Sequence, residues 1–448
     1  MKKSLVLILC GLLAGAGAAW GVMHYVAPRW QRSAVDNTYW QVTSKLDAGG
    51  EAFVYVHTEE LSRALLAVLE SVKRNIASLP ESRQAQARQG VGMVELMVKG
   101  YGLDEISGLG LSSFAVKPGL HRVRFVLHHR PGRNKGLIWN IAGPGPRDLD
   151  EMNLLPADTA LAFVSDYNIS KLMEWIGQVG QKMGGMGGPQ ASPEQMQALM
   201  KSSLQMMGVD ADRLFKSYGG RLGFLLTLDP EKRVSLPLGA RPLSIPEPAF
   251  AVLIRVNDTY LFDTIKGKLP AAAQAKIGEE NGVRKISFPR LPAPIPLEPV
   301  IAQNGEWLVA ASRGALADEI FAGSTPRLAD NDAFREIAYR LPRRGNGFGY
   351  FGPLIPRLVA QALRENLAAF PAQDALEKIT TFLDRAKGFC QVWENTDEGL
   401  VYTGNHGFDT SSLPGLIEGL IGIAGETARA HAAAVPPPAG GEAAQTVN

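Results

Sequence analysis

Short apolar runs recur along the chain, and each gives way to apolar positions spaced three and four apart. The first is Ala52-Phe53-Val54, followed by Leu61, Leu65 and Leu69. The second is Ala162-Phe163-Val164, followed by Ile169, Leu172, Met173 and Ile176. Continuous or alternating runs of this length predict strands, and the i, i+3, i+4 spacing predicts helices with one apolar face. Both copies continue into a long polar helix pattern, the second at about 193–207, and then into a Gly-Leu/Val-Asp triplet, Gly102-Leu103-Asp104 or Gly208-Val209-Asp210. Two markers recurring in the same order predict an internal repeat. Two shorter echoes follow, "PAFAVLIRVNDTYLFDTIKGKL" at 248–269 and "GFGYFGPLIPRLVAQAL" at 347–363.

Between these units lie runs that predict antiparallel hairpins. They are "SSFAV", "HRVRFVLHH" and "LIWNIA" in the first unit, and "VRKISF", "PVIAQNG" and "EWLVAAS" in the third. "GFCQVW" and "GLVYTGNH" belong to the fourth. The predicted class is α+β: repeated strand–helix units feeding antiparallel β-meanders, with long helices packed on the sheet. The units run 50–150, 151–246, 247–330 and 331–412, with a C-terminal helix at 413–433 and a disordered tail at 434–448. The breaks after the strands, His57-Thr58, Asp166-Tyr167-Asn168 and Asn257-Asp258, read as helix caps. Residues 28–49 lack periodicity and read as a stalk. Pro-rich stretches at 236–248 and 288–299 read as edge, extended or loop structure, and the Gly-rich stretch 184–193 as a loop.

The N-terminus changes the picture most. Lys2 and Lys3 precede a run of apolar and small residues that reaches Pro28. Segment 1–27 therefore reads either as a signal peptide cleaved near "AGAGAA" or as an uncleaved membrane anchor, with Trp20, Tyr25 and Trp30 at the interface. Either reading places the body outside the cytoplasm, periplasmic or held at the inner membrane. Lys and Arg total 46 against 44 Asp and Glu. That balance gives no long-range attraction for nucleic acid. The two cysteines are Cys10, inside the N-terminal run, and Cys390, so the body forms no internal disulfide. Cys390 reads as a small buried hydrophobe in its strand.

Candidate chemistry is sparse. No HExxH, CxxC, GxSxG or P-loop pattern occurs, and no catalytic, cofactor-binding or metal-ligating residues are assigned. Gly347, Gly349 and Gly352 match G-x-G-x-x-G, but the first two fall within a predicted strand, where small residues serve close packing. Seven of the twelve methionines, Met173, Met183, Met186, Met196, Met200, Met206 and Met207, fall between 173 and 207. They read as core and loop, with an adaptable partner surface as the alternative. His128 and His129 end a strand on opposite faces, as solvated residues that cannot share one ion. The basic group at 340–345 reads as a solvated loop.

"LLPADTALAF" at 154–163 and "NGEWLVAASRGALADEI" at 304–320 resemble motifs of uncharacterised bacterial secreted or membrane-anchored envelope proteins classed under domains of unknown function. The resemblance spans most of 50–412. It implies repeated strand–helix units behind an export signal and brings no activity or site residues. The functional expectation is a non-enzymatic exported scaffold or binding module, with another envelope protein or a membrane surface as partner and no cofactor. Two alternatives stand: an envelope hydrolase with a dispersed site, and a carrier of an apolar ligand between sheet and helices.

Overall fold

The computed structural model describes residues 37–143, 145–183, 193–237, 242–323, 326–366, 372–408 and 410–434. The N-terminal run, most of the Gly-rich loop and the C-terminal tail lie outside them. The elements in chain order are α1 (Asn37–Thr43), β1 (Ala52–His57), α2 (Glu59–Asn75), α3 (Glu81–Glu95), β2 (Ile106–Lys117), β3 (Leu120–His129), α4 (Leu137–Asn140) and β4 (Arg147–Asp148). Then come β5 (Thr159–Asp166), α5 (Ile169–Met183), α6 (Pro193–Met206), α7 (Ala211–Ser217), β6 (Tyr218–Leu236), β7 (Leu243–Val256), α8 (Tyr260–Gly267), β8 (Lys276–Glu280) and β9 (Val283–Ser287). The last are β10 (Val300–Asn304), β11 (Trp307–Ala311), α9 (Gly314–Phe321), α10 (Asp332–Ile337), β12 (Arg344–Gly345), β13 (Gly347–Phe351), α11 (Leu354–Asn366), α12 (Gln373–Arg385), β14 (Phe389–Thr396), β15 (Gly399–His406) and α13 (Leu413–Ala434).

Thirteen strands form one antiparallel sheet in the order β1-β2-β3-β15-β14-β13-β5-β6-β7-β11-β10-β9-β8. The fold is α+β, as the pattern predicts. Three units share one plan: a first strand, a helical excursion, then a hairpin pairing beside that strand. They are β1 with β2-β3, β5 with β6-β7, and β13 with β14-β15. The third unit departs from it, because β7 pairs with the last strand, β11, instead of the first after the helix. The fourth unit lies between the first and second. The four are consecutive parts of one sheet, and the central strands come from distant parts of the chain. The repeat extends to backbone detail. Gly102 and Gly208 both have positive φ, 93° and 67°, where a side chain is strained, and each follows the long helices of its unit, with α7 still to come before β6.

Several local expectations change. The predicted stalk contains α1, whose Val42, with Leu46 just beyond it, is buried against Val126. The close approach of this helix is permitted by Gly108 and Gly110, where a Cβ would meet Thr38 and Val42. "LIWNIA" forms the short helix α4 instead of a strand, with Leu137 and Trp139 buried. In α2, Leu69 is buried as predicted, but Leu61 is 67% exposed. The apolar arc of that helix is wider than the surface covering it. Of the predicted caps, Asn168 accepts from the Lys171 N–H at 3.1 Å and Asp258 from the Tyr260 N–H at 2.9 Å. Thr58 instead donates to the Ile106 carbonyl at 2.6 Å. Pro246 and Pro248 lie within β7, ahead of the point where β11 begins to pair, so the missing N–H groups cost no ladder bond there.

The two sheet faces differ. On the back face, Ala162, Val164, Leu225, Ala251, Leu253 and Val309 pack under α9 and α10 through Leu316, Ile320, Phe334 and Ile337. On the front face, α8 covers Ile254, Leu308 and Ile301 with Phe262 and its neighbours. Further along that face, His406 stacks on Phe408, which stacks on Phe382 of α12. The middle of the front face lies between these covers.

Candidate functional site

Strand register assembles the middle of the front face into three rows. Leu161, Leu226 and Phe250 form one, Phe163, Phe224 and Val252 the next, and Ser165, Leu222 and Ile254 the third. Paired residues share a face and successive residues alternate, so nine side chains of β5, β6 and β7 point the same way. None of the nine is titratable. The patch is about 10 Å across three strands and about 13 Å along them. Phe163, Leu222, Phe224 and Phe250 are each 38–40% exposed, although they sit on central strands, where side chains normally meet a second layer. The face is therefore an apolar trough with a partly open floor, in which Ser165 is buried, Ile254 lies under α8 and α11 contacts β5 and β7.

Its wall towards β14 is aromatic. Trp393 stacks on Phe163 with ring centroids 5.0 Å apart, and Phe351 on Phe389 at 5.5 Å. The strand between β5 and β14 is β13, and Gly347 and Gly349 make the stacking possible. A Cβ on Gly347 would lie 2.4 Å from the Trp393 ring and 2.3 Å from the Val164 carbonyl oxygen. The glycine match is thus a packing device within a strand, as its position in the sequence implies, and no phosphate-binding turn follows from it. Gly347→Ala is expected to destabilise the protein by about 1–3 kcal/mol through overpacking. Thermal denaturation followed by tryptophan fluorescence measures it, and an unchanged midpoint would show that the indole is free to move aside.

Asp166 of β5 and Arg221 of β6 lie on the back face in a buried cluster, whereas Arg255 and Glu247 of β7 pair outside it with Glu306 and Arg313. Arg221 of β6 is fully buried. Its Nε donates to Asp166 Oδ1 at 2.7 Å and its Nη1 to Glu151 Oε1 at 2.5 Å. Arg147 also pairs with Asp166. Asn346 donates to the carbonyls of Ala142 and Gly145 and accepts from the Asn395 N–H at 2.6 Å. Burial works against the Arg221 guanidinium charge, but the two carboxylates outweigh it and its pKa is raised. Asp166, read from sequence as part of a capping turn, is a partner in this cluster. Two cations face two anions, and the cluster ties β5, β6 and the 147–151 segment together.

A second polar pair looks more like catalysis than it is. Ser107 Oγ lies 2.7 Å from His128 Nδ1, but Ser107 and His128 are both buried. A nucleophile needs a free approach, and this serine has none. His128 and His129 are not the solvated residues the sequence suggested. They do point to opposite faces, His128 towards Ser107 and His129 into an edge contact with Trp139 at 4.7 Å. Burial and nearby Lys45 lower the His128 pKa to about 4, and burial with His121 lowers His406 to about 4. Both folded values lie below the ordinary histidine value, so on acidification the unfolded chain binds these protons first. Their stabilising contribution is complete above about pH 6.5 and is lost as pH falls towards 4. For His128 this is on the order of 3 kcal/mol. Urea midpoints are expected to fall between about pH 7 and pH 4.5, and His128→Gln to flatten that fall.

The other singled-out residues are unremarkable. Cys390 is buried in β14 and its thiol is pushed up to about 12 by burial, which makes it unreactive. Met206 and Met207 are exposed and Met173 is partly buried; Met186 and the side chains of Met183, Met196 and Met200 lie outside what is described. Arg340, Arg343 and Arg344 are exposed, but the segment is not wholly the expected loop, because Arg344 and Gly345 form β12 and pair with β4. Among the described residues no three His, Cys, Asp or Glu side chains are grouped to hold a metal ion, and no helix is long and apolar enough to cross a membrane. No family model, curated protein or solved structure matches the chain.

Proposed function

We propose that the protein is a non-enzymatic exported binding module of the cell envelope, and that its ligand is apolar, with the hydrocarbon part lying in the front-face trough. One observation carries the reading: four large apolar side chains on adjacent central strands stay about two-fifths exposed, on a floor with no titratable group. Covering those four side chains is worth on the order of 3 kcal/mol on the protein side alone, and each buried ligand methylene adds about 0.8 kcal/mol. The size of the patch selects the occupant. A stable protein partner needs about 800 Å² on each side, far more than this floor offers, whereas one or two hydrocarbon chains fit it. The uncharged floor also favours holding over hydrolysis, because a general acid or base must reach the reacting group.

Export is supported by the sequence of the N-terminal run and by the likeness to secreted envelope proteins. Titration with N-phenyl-1-naphthylamine tests the binding reading. Saturable fluorescence enhancement, reversed by a long-chain acyl lipid, is expected of the folded protein. Non-saturable enhancement, or none, would exclude a discrete apolar site.

A further inference from the structure

A second exposed apolar feature stands apart from the trough, at the edge of the sheet where the described chain begins. Trp40 of α1 is 60% exposed, and Tyr39 beside it is exposed as well. Tyr39 makes edge contacts with Trp40 at 5.3 Å and with Tyr55 of β1 at 5.1 Å. Two residues along β1, on the same face as Tyr55, Phe53 is also exposed. These side chains form an aromatic ridge on the back face of the outermost strand. Its members are Trp, Tyr and Phe, and two of the three exposed rings combine an apolar body with a polar tip.

Two facts identify what the ridge meets. The first is chain length. The apolar run of the N-terminus ends at Pro28, and only nine residue steps separate it from Asn37, where α1 starts. Fully extended, they span about 30 Å at most, so a run held in a bilayer keeps the ridge close to that bilayer. The linker itself carries Arg29, Trp30 and Arg32, residue types that favour the headgroup level. The second is size. Three half-exposed aromatic side chains offer on the order of 300 Å², well short of one side of a stable protein interface. Trp and Tyr concentrate at the membrane–water interface because one end is apolar and the other wet.

We infer that the Tyr39–Trp40–Phe53 ridge seats the body against the headgroup region of the membrane that holds residues 4–27. The inference rests on reading that run as a retained anchor. With the ridge down, β1 lies along the membrane surface, and the body is held in a fixed attitude instead of swinging on a free stalk.

Trp40 provides its own probe. The full chain, with Trp20→Phe and Trp30→Phe to silence the anchor region, is reconstituted in phosphatidylethanolamine–phosphatidylglycerol vesicles with plain or shallow-brominated acyl chains. The same protein with Trp40→Phe added isolates the Trp40 signal, since the remaining tryptophans are common to both. The expected result is a blue-shifted Trp40 component that loses intensity in the brominated vesicles. Equal quenching of the two proteins would overturn the ridge inference while leaving the anchor intact. The N-terminal mass of membrane-extracted protein separates the two failures: a mature chain lacking residues 4–27 overturns the anchor reading and the inference with it.

Discussion

Arg221→Met is expected to destabilise the protein by about 3–5 kcal/mol, the largest effect of any single substitution outside the hydrophobic core. Methionine fills much of the arginine's volume, so the loss is electrostatic in origin. Asp166 keeps Arg147 and Asn346 as partners. Glu151 keeps none: its Oε1 is held by Arg221 and its Oε2 has no hydrogen-bond partner. A carboxylate this deeply buried cannot stay charged cheaply, so it takes up a proton in the folded variant at a higher pH than in the unfolded chain. The glutamate then binds a proton in the folded variant above its normal range, and its contribution to the variant's stability falls as pH rises through that interval. His128 and His406 are common to parent and variant, so their opposite contribution cancels in the difference between the two. Denaturation of parent and variant at about pH 5 and pH 7.5 is therefore expected to give a gap that widens towards the higher pH. Adding Glu151→Gln to Arg221→Met should recover part of the loss. A variant within about 1 kcal/mol of the parent at both pH values would show that the cluster is dispensable to stability.

The same cluster marks how far the sequence could be read. Strands and helices were legible because their apolar periods are strong: "ALAFV" is apolar on both faces, and β5 is central. The repeated plan was legible from two recurring markers, but the first is offset by one residue: across the sheet Phe53 lines up with Val164, so Phe53 and Phe163 point to opposite faces. Whether a given face is covered was not legible. Period two assigns Phe163 and Val164 to opposite sides of β5, and nothing local says that helices bury one and leave the other open. That depends on where α8, α9, α10 and α12 come to rest, which follows from strand order, and strand order here interleaves the fourth unit between the first and second. Leu61 fails for the same reason, as an apolar residue on the correct arc of a helix whose cover stops short of it. Asp166 was read locally, as a residue type that starts helices, while its partners Glu151 and Arg221 are brought to it by the 147–151 segment and β6. α1 was missed because only Val42 and Leu46 anchor it, too few for a period.

Phe224→Glu is expected to abolish binding of an apolar probe while leaving the fold intact, and this pairing of outcomes is what makes the trough testable. Phe224 is the centre of the three-by-three floor, directly opposite Phe163 and Val252. Because its side chain is already about two-fifths exposed, a glutamate there reaches solvent and costs the fold little, on the order of 1–2 kcal/mol for lost contacts. With a hydrocarbon chain in place that same carboxylate is cut off from water and has no cation on the floor to pair with, so occupancy requires protonating it or leaving it charged in an apolar setting. Either cost, added to the lost contact with the ring, exceeds 3 kcal/mol and weakens binding by at least about a hundredfold. The substitution also gives binding a pH dependence that the parent's uncharged floor lacks, with affinity returning as the carboxyl is protonated. Val164→Glu, one residue along on the covered back face, is the contrasting variant. Val164 is completely buried, and the same charge there is expected to unfold the protein. If Phe224→Glu binds N-phenyl-1-naphthylamine like the parent while remaining folded, the probe's site is elsewhere. If both variants unfold alike, the front face is packed as tightly as the back one and no open trough exists in solution.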